Sequence, residues 1–504
     1  MTHILNIPEM PAVSRKFLSG NYCCDVTYHN YYIESFRILS LDMSFDSLNR
    51  RRILKTTTGL AGGMVLAGCL GDDGDDDDAD DTAPADDSDA DDSDDVSDEP
   101  IGNWPPEDDV AVFGCNSPVS GVHAEDGTHQ EMAFQLAIDH LNNGGGWVDE
   151  WEELSGDGVV GYEIEGTTSD SAGDPDTSRE NFSGMIERDN VQMLTGGVSS
   201  AVAETLQPIA QQERVPYMMS IVHSLLTTGE DCQRYSIRTN INAKLTAQAL
   251  SSYLSDEHGE GLEYFQIYWD YSFGHSNRDA MEEYLDAVGW TQAGSYPMPF
   301  GESDHSVAIS AVEEEDPDAI IFTSWGSNMA DGLLQMRDAG LTDDTVIVAP
   351  YISRASLAPA SDVLEGVIGT NGWNPLLEDE WSQLFVSAFE DEYDETPGYA
   401  AHQIYNNVLT YAAAAERAGT LRPPEVIREL EGHEWENSGI GPAKILECNG
   451  QTMRQVVINE GLSPAEQEEQ GHFLDPIHLA SWPDEVGYDC DEEPASLCDL
   501  PELE

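Results

Sequence analysis

Residues 191–200 read VQMLTGGVSS, an apolar run that ends in two glycines and two serines. The apolar part, Val191–Gly196, predicts a buried strand, and a helical segment at Ala201–Glu213 follows it directly. The same order of strand and helix occurs on both sides of this stretch. Further strands are predicted at Val110–Gly114, Tyr162–Gly166 and Val215–Ser220, with helices at Glu131–Leu141 and Pro175–Arg188. Strands and helices that alternate with short connections are typical of a parallel sheet with helices on both faces.

The same pattern begins again after residue 242. Helices are predicted at Ala243–Leu254, His275–Val288, Ala308–Glu314 and Asn328–Ala339, and strands at Tyr264–Trp269, Asp318–Thr323 and Thr345–Ala349. Two doubly wound, Rossmann-like sheets in succession predict an α/β fold of two lobes with a cleft between them. Small molecules bind in such clefts, at the carboxyl ends of the strands.

The chain is strongly acidic, with 97 Asp and Glu residues against 21 Lys and Arg residues in 504, and its formal charge is -76. This balance excludes a nucleic-acid binder, whose contact surface is basic, and argues against attachment to an anionic lipid surface. Hydrophobic residues make up 40% of the chain, which is enough for a folded core. An even excess of carboxylates with little lysine is typical of proteins from extreme halophiles, because molar salt screens the self-repulsion.

The N-terminal region has the features of an export signal. Arg50 and Arg51 precede a short run of apolar and small residues, and a Leu-Ala-Gly-Cys sequence ends at Cys69. The apolar run is shorter than the ~20 residues that a membrane-spanning helix needs. The arginines resemble a twin-arginine export signal, and the Leu-Ala-Gly-Cys sequence resembles a lipoprotein box, in which the cysteine receives the lipid.

This signal sets the expected limits of the mature chain. We expect translation to begin at Met43, so that residues 1–42 are a mis-annotated extension and residues 43–69 are the signal. Residues 70–109 are rich in Asp, Ala and Ser, and they predict a disordered acidic tether. Their carboxylates do not follow an EF-hand pattern, which argues against a calcium site.

Five cysteines follow Cys69, so at least one is unpaired in a monomer. Cys490 and Cys498 are close together near the C-terminus. In an exported protein, these two are the best candidates for a disulfide.

Motifs of catalysis and cofactor binding are missing from the sequence. It contains no Gly-x-Ser-x-Gly elbow, no Gly-Lys-Ser/Thr phosphate loop and no Cys-x-x-Cys pair. His123, Glu125, Asp126 and His129 are close together but do not form a His-Glu-x-x-His motif, so surface groups are a better interpretation than a zinc site. We therefore expect no metal, no cofactor and no enzymatic activity.

Several short motifs occur in a characteristic order between Val110 and Asn459. They are Ser-Pro at 117–118, Asp-Pro at 174–175, TGGVSS at 195–200, VPY at 215–217, YSFG at 271–274 and LQMRDAGL at 334–341. Through these motifs the chain resembles the extracellular solute-binding proteins of ABC importers, in the branched-chain amino-acid group with the type I periplasmic binding fold. With these motifs, the lipoprotein box and the acidic composition, the chain resembles the haloarchaeal lipoproteins of the family.

The resemblance implies that hinge strands connect the two lobes and that each lobe is built from two segments of chain. Lobe I is expected at residues 110–240 and 356–436, and lobe II at 241–355 and 437–480. Residues 481–504 are expected to form a C-terminal tail.

The resemblance also implies a ligand site in lobe I. In the family, a glycine-rich turn from strand to helix holds a ligand carboxylate, and the matching hydroxyl here is Ser200. Ser200 could instead act only as a cap of the helix that follows. The end of the next strand matches Ser220, Val222 and Ser224, where relatives bind the ligand through backbone groups and a hydroxyl, here that of Ser224.

Lobe II is expected to contribute the aromatic residues Phe273, Trp325 and Tyr351, each of which could instead only pack in the core or at the lip of the cleft. Relatives that bind amino acids place a carboxylate against the ligand ammonium, and the matching position here is Tyr351. Asp126, in the first loop of the cleft, is either a further ligand contact or a solvated loop acid. The solute therefore stays open among an amino acid, an amide and a short carboxylate.

The function implied by the resemblance is that of a receptor on the outer face of the cytoplasmic membrane. A monomer anchored by lipid would capture a small polar solute through hinge closure and deliver it to the permease and ATPase subunits of an ABC importer. Two other classes stay open. A ligand-sensing module of a signalling system would need a transmembrane or kinase segment, and a cell-surface amide hydrolase would need a nucleophile motif.

Overall fold

The computed structural model describes residues 99–503 of the chain. The predictions for Arg50, Arg51 and Cys69, and for the signal and the tether up to residue 98, lie outside these residues. Residues 99–109, expected to belong to the disordered tether, are instead held by the folded body, because the Asn103 side chain donates hydrogen bonds to the carbonyl oxygens of Ile186 at 3.0 Å and Val191 at 2.8 Å. Within the described part, no helix has the length and apolar character that crossing a bilayer requires.

Lobe I contains a five-stranded parallel sheet. Its strands are β1 (Val110–Ser117), β2 (Glu163–Asp170), β3 (Val191–Gly196), β4 (Tyr217–Met219) and β5 (Ser236–Arg238), with helices α1 (Ala124–Asn143), α2 (Pro175–Arg188) and α3 (Ser200–Glu213). The strand order is β2-β1-β3-β4-β5. Local sequence signals start the helices. At α2, for example, the Asp174 side chain accepts a hydrogen bond from the backbone N–H of Thr177 at 2.8 Å, and Pro175 occupies the first turn.

Lobe II repeats this arrangement in a larger sheet. Its first strands are β6 (Glu263–Trp269), β7 (Thr291–Met298), β8 (Ala319–Thr323), β9 (Val346–Ala349) and β10 (Ile368–Asn371), with helices α4 (Ala243–His258), α5 (Ser272–Ala287), α6 (Ser306–Glu315), α7 (Gly326–Asp338) and α8 (Arg354–Leu357). These five strands are parallel. The expected α/β fold with two doubly wound lobes is therefore confirmed.

The chain then returns to lobe I before it completes lobe II. The returning helices are α9 (Glu380–Tyr393), α10 (Tyr399–Ala418) and α11 (Pro423–Leu430), and a small antiparallel sheet follows with β11 (Glu434–Trp435), β12 (Ala443–Ile445) and β13 (Thr452–Arg454). Helix α10 is buried over most of its length and packs along α1 and against β3 and β4. The last elements are β14 (Val456–Gly461), α12 (Pro464–Gln470) and β15 (Leu474–Ala480). In the second sheet, β14 pairs with β10 in antiparallel orientation, and β15 pairs with β14 in antiparallel orientation. Short 3-10 helices occupy Gly121–His123, Gly146–Asp149, Leu226–Thr228, Ala358–Val363 and Ala495–Leu497.

The chain passes between the lobes three times, after β5, after β10 and between β13 and β14. Arg454, the last residue of β13, donates hydrogen bonds to the carbonyl oxygens of Thr239 at 3.1 Å and Gly372 at 3.0 Å. These two residues directly follow β5 and β10, so one buried guanidinium joins the three crossings.

Two of the expected lobe boundaries need correction. Strand β10 pairs with β9 and β14 in the second sheet, although it falls in the segment 356–436 expected for lobe I. Residues 443–454, expected in lobe II, lie against lobe I, because the backbone N–H of Arg238 on β5 donates to the Gly450 carbonyl oxygen at 2.9 Å. Strand pairing sets these boundaries, and the sequence pattern does not show which strands pair.

The predicted disulfide between Cys490 and Cys498 is wrong. Cys498 pairs with Cys232, which lies 266 residues earlier in the connection between β4 and β5, and Cys490 pairs with Cys448. Cys115 on β1 is the free, buried cysteine of the described chain. The tail folds back over the body of the protein, so its cysteines meet distant partners rather than each other.

Candidate functional site

A cavity lies between the two lobes, at the carboxyl ends of their parallel strands. It is lined by His123, Val198, Ser199, Ser200, Ile221 and His223 from lobe I and by Tyr271, Phe273 and Trp325 from lobe II. Its volume is about 10 Å³, which is about the space of one water molecule. A larger ligand can enter this cleft only if the lobes move apart.

A larger groove of about 600 Å³ lies elsewhere, between α5, the start of α4 and the C-terminal tail. Its lining includes the carboxylates of Glu230, Asp279, Glu283, Glu492 and Glu493. We take the interlobe cavity as the candidate site despite its smaller volume, because ligands of doubly wound folds bind where the parallel strands end.

The turn from β3 into α3 brings a helix N-terminus to the cavity. Gly196 and Gly197 have φ angles of +108° and +93°, and a side chain on Gly196 would meet the Asn116 carbonyl oxygen at 2.6 Å. Ser199 and Ser200 follow at the start of α3, where backbone N–H groups lack helical partners and favour an anion. The Ser200 hydroxyl accepts a hydrogen bond from the Ser224 backbone N–H at 3.1 Å, which leaves its proton for a second partner.

The three residues expected after β4 do not line the cavity with their side chains. The Ser220 hydroxyl accepts a hydrogen bond from Gln130 Nε2 at 2.9 Å, and Val222 is buried in the core of lobe I. The Ser224 hydroxyl accepts from the Leu226 backbone N–H at 3.2 Å. The residues between them, Ile221 and His223, line the cavity instead.

A tight turn after β4 explains why Ile221 and His223 face the cavity instead of the expected residues. Strand β4 ends at Met219, and the backbone N–H of Val222 donates to the Ser220 carbonyl oxygen at 3.0 Å in a tight turn. The alternation of a strand therefore stops before residue 220, and a period of two no longer gives the side-chain directions.

Aromatic side chains form the lobe II wall of the cavity. Phe273 and Trp325 line it as expected, and so does Tyr271, which was not among the expected site residues. Tyr351 is buried behind this wall, and the centroid of its ring lies 3.5 Å from that of His223. The sequence thus identifies two of the three aromatic residues that line the cavity from lobe II.

Asp126 connects the two lobes. It lies in the first turn of α1, is only 4% exposed, and accepts a hydrogen bond from Trp325 Nε1 of lobe II at 2.8 Å. Burial raises the pKa of Asp126 from 3.8 to about 7, although the hydrogen bonds from Trp325 and Ser353 act in the opposite direction. Asp126 is therefore not a solvated loop acid, and it holds the indole that lines the cavity.

His123 is a cavity residue that the sequence did not identify. It is buried just before α1, and neither of its ring nitrogens has a hydrogen-bond partner among the described residues. Burial lowers the pKa of His123 to about 4, so the ring is neutral near pH 7. The expectation that His123, Asp126 and His129 are surface groups is wrong, since all three are buried. Across residues 99–503, no three His, Cys, Asp or Glu side chains are grouped so that they could hold a metal ion.

His223 is the second histidine that sequence reasoning missed. Its Nδ1 lies 3.1 Å from the Ile241 carbonyl oxygen, and its Nε2 has no partner within the described chain. Burial lowers its pKa well below the usual value, and the charge of Arg238 lowers it further. The sequence signal that could have identified His223 as a cavity residue is its place shortly after the end of a predicted strand.

The comparisons with known proteins agree with this geometry. The family model for periplasmic binding proteins matches residues 112–462. Among curated proteins, the leucine-, isoleucine-, valine-, threonine- and alanine-binding protein of Pseudomonas aeruginosa is 22% identical over 343 residues, which cover 65% of this chain and 84% of that protein.

Solved structures share the fold at low identity. A periplasmic binding protein from Burkholderia mallei is 18% identical with a TM-score of 0.69, and the match covers 77% of this chain and 99% of that one. An ABC transporter solute-binding protein from Rhodopseudomonas palustris BisB5, in complex with 3,4-dihydroxybenzoic acid, is 19% identical with a TM-score of 0.65, covering 75% and 99%. Because the family match spans more than half of the 504 residues, the chain belongs to the periplasmic binding protein family.

Proposed function

We propose that this protein is the extracytoplasmic substrate-binding subunit of an ABC importer and that it captures a small polar solute between its lobes. The observation that carries the proposal is the composition of the interlobe cavity. The N-terminus of α3 lies on one side, the rings of Phe273 and Trp325 lie on the other, and the bond from Trp325 to Asp126 joins the lobes. A permease and an ATPase would be the partners of the closed form.

The solute is expected to carry a carboxylate. The start of α3 offers backbone N–H groups and the Ser200 hydroxyl, which suit an anion. The relatives support this choice, because branched-chain amino acids and 3,4-dihydroxybenzoic acid share a carboxylate. An amino acid, an amide that retains a carboxylate, and a short carboxylate all meet the requirement.

The same contacts indicate how the two lobes close around the solute. The cavity is too small for a solute, so binding begins with the lobes apart, and the Asp126–Trp325 bond forms as they close. A solute that touches both lobes favours the closed state by the difference in its affinity for the two states.

Thermal melting with candidate solutes tests the function. We expect the melting temperature to rise from low salt to molar KCl, because screening reduces carboxylate repulsion. It should rise further with a bound amino acid or carboxylate, by an amount that follows RT ln(1 + [L]/Kd). Turnover of a solute without any melting shift would contradict the proposal.

Two variants test the site itself. Ser200→Ala and Trp325→Ala should each weaken binding without unfolding the protein, because they remove one contact from each wall of the cavity. Ser252→Ala, at an exposed position on α4, is the matched control and should bind as the wild type does. Unchanged affinity in both cavity variants would refute this placement of the site.

We further propose a lipid anchor at Cys69, export through the signal with Arg50 and Arg51, and a location on the outer face of the membrane. The Leu-Ala-Gly-Cys sequence supports the anchor, and the acidic composition supports a halophilic, archaeal source. We propose that the protein acts as a monomer. Mass spectrometry of the mature N-terminus, which should begin at lipid-modified Cys69, tests the anchor.

A further inference from the structure

A carboxyl group of lobe I is buried by contacts from lobe II. Asp126, in the first turn of α1, accepts a hydrogen bond from Trp325 Nε1 at 2.8 Å. Ser353, which follows β9, is its second side-chain donor. Both donors belong to lobe II, so the carboxyl group has these partners only while the two lobes are together.

The lobe I groups around Asp126 do not favour its ionised form. Glu125, the preceding residue on α1, is acidic and raises the pKa of Asp126. Tyr399, at the start of α10, interacts with Asp126 electrostatically, but its phenol is neutral near pH 7 because burial raises its pKa. His129, one turn further along α1, is bonded to Glu395 at 3.1 Å, and burial lowers its pKa.

Lobe II supplies hydrogen-bond donors to Asp126 but no bonded cation. Arg354, next to Ser353, donates to the Thr396 carbonyl oxygen at 2.7 Å. No ion pair formed within residues 99–503 includes Asp126. Burial therefore dominates and raises the pKa of Asp126 from 3.8 to about 7. When the lobes move apart, water reaches the carboxyl group and restores its ordinary pKa.

We propose that solute capture is linked to protonation of Asp126, so that closure of the lobes on a solute takes up one proton at this carboxyl group. This inference rests on the proposed function and adds a regulation to it. Between about pH 3.8 and 7 the closed state holds the proton and the open state does not, so closure becomes more favourable as the pH falls through this range. Above about pH 7 neither state holds the proton, and closure no longer depends on this group.

Other groups near the cleft also exchange protons during closure. Burial lowers the pKa of His123 and His223 in the cavity wall, so closure favours release of any proton that they carry in the open state. Burial raises the pKa of Glu204 on α3, which acts in the opposite direction. Asp126→Asn keeps these three groups but cannot bind the proton at residue 126. The difference between the wild type and this variant therefore isolates Asp126.

Calorimetry in two buffers counts the proton. L-leucine and 3,4-dihydroxybenzoate are titrated into the purified protein in molar KCl at about pH 6, once in MES and once in imidazole, whose heats of ionisation differ. With each solute that binds, the wild type should take up about 0.9 proton more than Asp126→Asn. Asp139→Asn, which removes an exposed acid from the same helix, is the control and should match the wild type.

The affinity should follow the same linkage. From pH 5 to 8, the dissociation constant of the wild type should rise about 50- to 100-fold relative to that of Asp126→Asn. Equal proton uptake by the two proteins, or a ratio of dissociation constants that does not change with pH, would overturn the inference while the proposed function stands. If neither solute binds, the proposed function fails for these solutes and the inference fails with it.

A second measurement needs no variant. Infrared difference spectra of the wild type, solute-bound minus free, should show a new C=O band of a neutral carboxylic acid at about pH 6 and little of it at about pH 8. If binding at pH 6 produces no such band, Asp126 does not take up a proton on closure and the inference is wrong.

Discussion

Asp126 is a carboxyl group placed where two lobes meet, and its ionisation has an energetic cost. Its pKa is 3.8 in the unfolded chain and about 7 in the folded protein, mainly because of burial. Between these values the folded state holds one proton more than the unfolded state. Its contribution to stability is therefore fully present below about pH 3.8 and is lost as the pH rises to about 7.

Asp126→Asn should remove this pH dependence. The amide keeps an oxygen that can accept from Trp325 Nε1, but it cannot ionise. From pH 5 to 8, the free energy of unfolding of the wild type should fall by about 2–3 kcal/mol relative to the variant. Urea denaturation followed by tryptophan fluorescence at each pH measures the difference.

The buried histidines do not disturb this comparison. His123 has a folded pKa of about 4, below its usual 6.5, so its contribution is present above pH 6.5 and is lost as the pH falls towards 4. This effect is the same in the wild type and in Asp126→Asn, and it cancels in the difference. A constant difference between the two proteins from pH 5 to 8 would contradict the shifted pKa of Asp126.

Single residues also show how far the site could be predicted. Ser200, Phe273 and Trp325 line the cavity as expected, because each follows a strand end that the apolar pattern marks clearly. His123 and His223 were missed, because the direction of a side chain after a strand depends on the turn and not on the strand period. A turn such as the one after β4 is set by hydrogen bonds that the sequence does not display.

At the level of elements, strands β1 to β4, β6, β8 and β9 and helices α1 to α7 follow from the sequence, whereas β5, β7 and β10 do not. A buried parallel strand is a continuous apolar run, which is easy to recognise. Strand β10 carries no mark that assigns it to lobe II, and β13 carries none that places it beside β5. Pairing between segments far apart in the chain decides both positions.

The C-terminal tail contacts both lobes, which its sequence did not indicate. On the lobe II side, the Gly487 backbone N–H donates to the Gln248 side-chain oxygen on α4 at 2.9 Å. On the lobe I side, Cys498 is bonded to Cys232. The Cys232–Cys498 disulfide therefore links the end of the tail covalently to lobe I, while a hydrogen bond holds the tail to lobe II.

Removal of this link should destabilise the protein. In Cys232→Ser/Cys498→Ser, the chain loses a cross-link between residues 266 positions apart, and the expected loss is about 2–5 kcal/mol in the free energy of unfolding. Denaturant titration of the oxidised proteins measures it. Cys115→Ala, which keeps both disulfides, is the control and should cost about 1 kcal/mol. A double variant as stable as this control would show that the link is not stabilising.

At the level of the whole molecule, the two-lobed architecture could be predicted because the same pattern of strand and helix occurs twice in one chain. The charge of the chain acts at this level too. With 97 acidic residues against 21 basic ones, self-repulsion is spread over the molecule and no single ion pair can offset it. The identity of the proposed solute could not be predicted in this way. It depends on the positions of a few atoms in the small interlobe cavity.

Attachment to the membrane and solute binding should depend on separate parts of the chain. The cavity and both disulfides lie within residues 99–503, and the family match begins at residue 112. Cys69→Ser should therefore release the exported protein into the medium and leave the solute-induced melting shift unchanged. Immunoblots of membrane and medium fractions measure the release, and Cys115→Ala, which removes a cysteine of the folded region, is the control and should stay in the membrane fraction. If Cys69→Ser stays in the membrane fraction, Cys69 is not the anchor, whereas a lost melting shift would mean that residues before the described region contribute to the solute site.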